Sequence, residues 1–124
     1  MAVKVVDASA AAAVLFDEPE ADRVSDYLMG HMLVAPELFP FELANVCVTK
    51  MRRHGDQHDL LIRQFDLFPS LGISMHVVDA SAVVHLADQI GLTAYDASYL
   101  WLALTLGAEL VTLDRKLAAV ATRR

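Results

Sequence analysis

The chain has little cysteine, and it has no long uninterrupted hydrophobic run. Cys47 is the only cysteine, so no disulfide can form within the chain, and a lone thiol fits a reducing compartment. The apolar stretches 8–16 and 98–108 are too short or too interrupted for a membrane span of about 20 residues. The first residues resemble a secretory signal only weakly, because Asp7 interrupts their apolar segment. We therefore predict a cytoplasmic protein with no membrane segment.

Linkers, low-complexity tracts and blocks of like charge are also missing, so nothing marks a boundary between domains. Hydrophobic residues make up 56% of the chain, which argues against disorder. A chain of 124 residues can bury roughly two-thirds of its unfolded surface around one core. We predict a single domain over residues 1–124.

Positive charge is scarce, because ten Lys and Arg stand against sixteen Asp and Glu and give a net charge of −6. That balance disfavours a nucleic-acid partner, but the basic residues are clustered, and a local patch can bind phosphates under a negative total. They could equally be solvated helix ends, where Lys and Arg are favoured. The clusters contain Lys50, Arg52, Arg53 and His54, then Arg63, and near the C-terminus Arg115, Lys116, Arg123 and Arg124.

Apolar segments of strand length alternate with longer segments of helical pattern. Strands are predicted at 3–6, 32–35, 73–78 and 109–112. Helices are predicted at 9–16, 19–29, 37–53, 56–68, 81–90, 95–106 and 115–121. This alternation predicts a parallel sheet covered by helices on both faces. In such sheets, ligands bind beyond the carboxyl ends of the strands.

Four acidic residues, Asp7, Glu42, Asp96 and Asp114, are embedded in mostly apolar sequence. Two of them directly follow the first and last predicted strands, at the edge where ligands bind. Burying an unpaired carboxylate is costly, so such groups are usually paired, cap a helix or bind a metal. Together the four predict one acidic pocket for a divalent cation, and all-oxygen ligands favour Mg²⁺ or Mn²⁺. A bound cation would reduce the net charge of −6 that the chain carries.

Three of these acids could instead cap helices. The sequence at 5–10 recurs at 77–82, also at a strand-to-helix junction, so one Asp of the pair could be catalytic and the other a cap. Glu42 is the hardest to explain by capping. It lies inside a predicted apolar helix, on one polar line with Asn45 and Thr49.

Four segments resemble the acidic motifs of PIN-domain ribonucleases, and most closely those of the VapC-type toxins of bacterial and archaeal toxin–antitoxin pairs. In order they are VVDAS (5–9), FELANV (41–46), LTAYDASYL (92–100) and LVTLDRKL (110–117). The resemblance implies a three-layer α/β/α PIN-like domain with a central parallel sheet of four or five short strands. It implies an endoribonuclease that depends on Mg²⁺ or Mn²⁺, in which a metal-activated water attacks the phosphodiester.

Matched position by position, the resemblance makes Asp7 and Asp96 the acids that bind the metal most directly. Glu42 completes the first site, and Asp114 holds a second ion or orients water. Asp79 matches no motif acid, which leaves it as the cap of the repeated sequence. Further polar positions line the pocket, and these are Ser9, Asn45 and Thr112. The resemblance also implies an RNA substrate, a homodimer, and a VapB-type antitoxin that blocks the site in a hetero-oligomer.

Two other functions stay open at this point. A receiver-type phosphoacceptor domain shares the length, the parallel sheet and an Asp at a strand end. It would need an acidic pair after the first strand and a Lys after the last, whereas here Asp7 stands alone and Asp114 occupies the second place. A non-catalytic PIN-like module that only binds RNA or a protein would bind metal weakly and cleave nothing.

Overall fold

The computed structural model describes residues 2–122, so Met1 and two residues of the predicted basic clusters, Arg123 and Arg124, lie outside it. In the described part, the strands form one sheet in the order β3-β2-β1-β4, and every pairing is parallel. The prediction of a parallel sheet is therefore confirmed, with four strands. They are β1 (Val3–Val6), β2 (Met32–Pro36), β3 (Ile73–His76) and β4 (Glu109–Val111).

Helices flank this sheet, and the predicted three-layer α/β/α architecture is confirmed. The helices are α1 (Ala8–Leu15), α2 (Ala21–Leu28), α3 (Phe39–Arg53), α4 (His58–Phe65), α5 (Ala80–Ile90), α6 (Ala94–Leu106) and α7 (Arg115–Thr122). Helix α1 packs on α2 and α3, while α6 contacts three of the strands and has α5 beside it. Among residues 2–122, none of the helices has the length and apolar character needed to cross a membrane.

The core fixes how the helices approach the sheet. Val5 and Val6 of β1 are fully buried, and the alanines of α1 at 10–13 are at most 3% exposed. Because alanine is small, α1 can lie close to its neighbours. Helix α3 buries Phe39 and Leu43 completely, and Pro40 takes a place in its first turn, where the missing N–H costs no hydrogen bond. The start of α3 is thereby held near the carboxyl ends of the strands.

Three of the predicted helices have boundaries that are wrong by two residues or more, and one of them, α3, begins at Phe39 rather than at 37. The predicted helix at 56–68 is too long, because α4 covers only His58–Phe65 and a 3-10 turn lies on each side of it, at Gly55–Gln57 and Phe68–Leu71. Pro69 stands at the start of the second 3-10 turn, where its missing N–H costs no hydrogen bond, and Gly72 closes that turn at φ +68°. The second predicted helix begins two residues after Pro19, which lies in the turn that precedes α2.

Candidate acidic active site

Asp7 directly follows β1 and is 6% exposed. Its backbone N–H donates to the carbonyl of Val111 in β4 at 3.1 Å. Its Oδ1 accepts hydrogen bonds from the N–H of Ala10 at 3.0 Å and from the hydroxyl of Ser9 at 2.7 Å. Its Oδ2 accepts from the hydroxyl of Thr112 at 2.5 Å. Asp7 therefore caps α1, as one interpretation predicted, and it is also tied to the end of β4.

Ser9 and Thr112, both predicted to line the pocket, connect α1 to the segment after β4. Their hydroxyl oxygens lie 3.3 Å apart, and the N–H of Leu113 donates to Ser9 Oγ at 2.9 Å. The N–H of Asp114 donates to Thr112 Oγ1 at 3.0 Å, while its own carboxylate accepts from Leu117 N–H at 3.1 Å. Asp114 thus caps α7 and is exposed. These contacts exist because β1 and β4 are neighbours in the sheet.

Glu42 lies in the first turn of α3 and is half-buried. Its Oε1 accepts a hydrogen bond from the hydroxyl of Tyr99 at 2.6 Å. Tyr99 belongs to α6 and is 1% exposed, so its ring is fixed by the core. Burial raises the pKa of Tyr99, and Glu42 raises it further, so the hydroxyl stays protonated and donates. Tyr99 is not among the predicted site residues, although it lies three residues after Asp96 on the same helix.

Asp96 lies in the first turn of α6 and is partly buried. The cap of this helix is Thr93, whose hydroxyl accepts from the N–H of Asp96 at 3.1 Å. The capping-box spacing is therefore used, but Asp96 is not the capping residue. Asp79, the counterpart of Asp7 in the second copy of the repeated sequence, is exposed and accepts a hydrogen bond from the N–H of Ala82 at 3.0 Å. Its assignment as a cap of α5 agrees with this contact.

The four carboxylates act on one another electrostatically. Burial raises the pKa of Asp7 against the effect of its hydrogen bonds, and the charge of Asp114 raises it further. Burial also raises the pKa of Glu42, and the charges of Asp96 and Asp7 add to the rise. Burial followed by the charge of Asp114 raises the pKa of Asp96, with Lys116 acting in the opposite direction. The structure therefore brings the predicted acids into one cluster at the carboxyl edge of the sheet.

The cluster is not a ready-made coordination shell. Within residues 2–122, no three His, Cys, Asp or Glu side chains are arranged so that they could hold a metal ion as they lie. The carboxylates of Asp7, Glu42 and Asp114 instead accept hydrogen bonds from separate neighbours. The donor chemistry still fits a hard divalent cation, because the cluster offers carboxylate and hydroxyl oxygens. The charge of such an ion would stabilise the ionised carboxylates, whose pKa values are raised first by burial and then by the other acids.

A groove of about 470 Å³ opens beside Glu42. It is lined by Ala8, Leu38, Phe41, Glu42, Asn45, Val46 and Tyr95. Asn45, the third residue predicted to line the pocket, is exposed here rather than in the hydrogen-bonded group around Asp7. The site therefore has two parts, an acidic edge on the sheet and a largely apolar groove that begins at Glu42.

Comparison with known proteins identifies the class of protein that has this fold and edge. The family model for the PIN domain matches residues 4–123. One relative, Ribonuclease VapC3 of Pyrobaculum aerophilum, is 31% identical over 119 residues, which cover 92% of this chain and 91% of that protein. The crystal structure of PAE2754 from Pyrobaculum aerophilum matches with a TM-score of 0.74 and 29% identity, over 96% of this chain and 79% of that one.

The chain therefore belongs to the PIN-domain family. Within that family it is similar to the VapC-type ribonucleases, as its four acidic segments predict.

Proposed function

We propose that this protein is a metal-dependent endoribonuclease that acts as the toxin of a toxin–antitoxin pair, in the cytoplasm, as a single PIN-like domain. The observation that carries the proposal is the position of four acids at the carboxyl edge of the sheet, where burial and the charge of at least one other acid raise the pKa of Asp7, Glu42 and Asp96. The similarity to a protein named Ribonuclease VapC3 over nearly the whole chain supports it. The receiver-type alternative is withdrawn, because the chain belongs to the PIN-domain family.

Four acids would hold Mg²⁺ or Mn²⁺. Asp7 and Asp96 would bind it most directly, Glu42 would complete the site, and Asp114 would hold a second ion or orient water. When bound, such an ion polarises a phosphoryl group and lowers the pKa of an attacking water. Mg²⁺ usually takes only one or two protein carboxylates directly and keeps water molecules at its other positions. A phosphate oxygen of the substrate can replace one of these waters.

The neighbouring side chains keep these acids in position. Three donors, from Ser9, Ala10 and Thr112, hold both oxygens of Asp7. Tyr99 holds one oxygen of Glu42. Partners of this kind orient metal ligands, and removing one typically lowers affinity or activity about 10- to 100-fold.

The proposed partners are an RNA substrate, a second copy of the chain, and a VapB-type antitoxin. An apolar groove of about 260 Å³ supports a protein partner, since amphipathic segments dock in such grooves. It lies between α1, α2 and the sheet, and it is lined by Ala11, Val14, Ser25, Leu28, Met29, Leu33, Ser70, Leu71 and Ile73.

RNA cleavage by purified variants tests the proposal. We expect Asp7→Asn and Asp96→Asn to cleave RNA more than about 100-fold more slowly than wild type in Mn²⁺, since they change ligands rather than supporting residues. Asn is also a good helix cap, so Asp7→Asn should keep its fold. Asp79→Asn is the matched control, because it changes the exposed cap of the repeated sequence. Cleavage by both site variants at the wild-type rate would contradict the proposal.

A non-catalytic PIN-like module that only binds RNA or a protein is the second candidate, because membership of the PIN-domain family fits either function. Calorimetric titration with Mn²⁺ separates the two functions. The enzyme should bind Mn²⁺, and the double variant Asp7→Asn/Asp96→Asn should not. Weak binding that the double substitution leaves unchanged, without RNA cleavage, would identify the non-catalytic module.

A further inference from the structure

The two most exposed aromatic side chains of residues 2–122 stand directly before two of the four acids. Phe41 is 81% exposed and precedes Glu42, while Tyr95 is 65% exposed and precedes Asp96. The next most exposed aromatic ring, that of Tyr27, is 49% exposed and donates its hydroxyl to a carboxylate at the opposite edge of the sheet. Large apolar rings left in water are unfavourable, and clustered ones mark interaction sites.

Both rings line the same groove, which begins at Glu42. A ligand that lies in this groove therefore meets Phe41 and Tyr95 and reaches the acidic edge without leaving the surface. Asn45 lies in the same groove, and its amide can both donate and accept hydrogen bonds. The groove thus offers flat apolar surfaces, one side chain that can donate and accept hydrogen bonds, and direct access to the acids.

Continuity with the acids determines which ligand fits. A strand whose phosphate reaches the acids must place its neighbouring bases on the adjoining surface. Aromatic rings accept any base, because every base has a π-face. Paired bases hide these faces within the double helix, so the strand must be unpaired. Resting on the proposed function, we propose that Phe41 and Tyr95 form a stacking site for unpaired bases next to the phosphate that is cleaved in single-stranded RNA.

Binding without cleavage tests the stacking site. The probe is a single-stranded RNA of about six nucleotides that contains the fluorescent base 2-aminopurine, held with the protein in EDTA at low ionic strength. Stacking should quench the fluorescence of the wild-type complex. We expect Phe41→Leu and Tyr95→Leu each to weaken binding about 5- to 30-fold and to reduce the quenching. The aromatic replacements Phe41→Tyr and Tyr95→Phe should bind within about 2-fold of wild type, because a π-face is retained.

Leu104→Ala is the matched control for loss of an exposed apolar side chain. Leu104 lies on α6, as Tyr95 does, and is 48% exposed outside the groove. The Leu104→Ala variant should bind the RNA probe and quench its fluorescence as the wild-type protein does. Leucine variants that bind and quench as wild type, or a wild-type protein that does not bind the probe, would overturn the proposal. If the leucine variants instead changed only the mass of the protein in sedimentation, a second copy would cover the groove and the stacking site would be wrong.

Cleavage in Mn²⁺ separates this proposal from the function on which it rests. The leucine variants should raise KM more than they lower kcat, whereas Asp7→Asn should lose kcat. Loss of cleavage in Asp7→Asn together with normal KM in both leucine variants would reject the stacking site and leave the ribonuclease intact. Normal cleavage by Asp7→Asn, with quenching still dependent on Phe41 and Tyr95, would reject the catalytic assignment and leave the base-binding site.

Discussion

The hydrogen bond between Tyr99 and Glu42 gives the most direct test of how the core supports the acidic site. Tyr99→Phe removes only the hydroxyl that donates to Glu42 at 2.6 Å. The ring is 1% exposed, so phenylalanine fills the same space without a cavity. Any loss of stability therefore reports the hydrogen bond.

The size of the effect follows from the charge and exposure of Glu42. Hydrogen bonds to charged groups contribute about 1.5–3 kcal/mol to the free energy of unfolding. Because Glu42 is half-buried, water can replace part of the bond, and we expect the lower end, about 1.5 kcal/mol. For a domain of this size that lowers Tm by about 5 °C.

The effect should also depend on pH in a defined direction. Burial raises the pKa of Glu42 above its ordinary value, and the bond from Tyr99 lowers it, so the bond favours the charged carboxylate. The contribution of Tyr99 is therefore full above the pKa that Glu42 has without the bond, and it decreases as pH falls from there through the folded pKa of Glu42 in wild type. Near pH 4, where Glu42 is protonated, the cost of Tyr99→Phe should be about half as large, as for a bond between neutral groups.

Thermal unfolding by circular dichroism in EDTA, at pH 7 and pH 4, measures both quantities. Tyr95→Phe is the matched control, because it removes the hydroxyl of an exposed tyrosine one turn earlier on α6 and should leave Tm unchanged. In a Glu42→Ala background, the cost of Tyr99→Phe should shrink. The reasoning is refuted if Tyr99→Phe costs as much in that background as in wild type, or no more than the control.

Three further predictions follow from the same contacts. The pKa values of Asp7, Glu42 and Asp96 are raised in the folded chain, so between the ordinary and the raised values these carboxyls bind more protons when folded than when unfolded. In EDTA, the free energy of unfolding should therefore fall as pH rises through that window, and a Tm that rises there would contradict this. Thr112→Val removes the donor at 2.5 Å from Asp7, so calorimetry should show Mn²⁺ bound about 10-fold more weakly, with Thr112→Ser close to wild type. Lys4→Met removes a buried ammonium that donates to the carbonyl of Tyr27 at 2.7 Å, lies 3.6 Å from the carboxylate of Glu109 and stands over the Tyr27 ring. Urea unfolding should show a loss of about 1.5–3 kcal/mol, and an unchanged midpoint would show that these contacts together contribute nothing.

Much of the fold can be predicted because its signals are local. The β-branched run at Val3–Val6, followed at once by Asp7, predicts a buried strand and its end, and the structure has both. Glycines at 91 and 107 end α5 and α6 with positive φ, as their positions predict. The helix predicted at 56–68 is too long at both ends, because the apolar pattern does not separate the 3-10 turns beside α4 from the helix itself. Local patterns also cannot tell which of the two identical Val-Val-Asp-Ala-Ser segments has its Asp beside side chains from elsewhere in the chain, as Asp7 has Thr112.

By itself, the sequence determined the alternation of strands and helices and the identity of the four acids. Only the tertiary structure decided that Asp7 is held by Thr112, more than a hundred residues away, and that Glu42 is held by Tyr99. It also decided that Phe41 and Tyr95 share one groove. The physical reason is that strand ends and caps depend on neighbours along the chain, whereas the partners of a buried carboxylate depend on which strands pair and which helix faces pack.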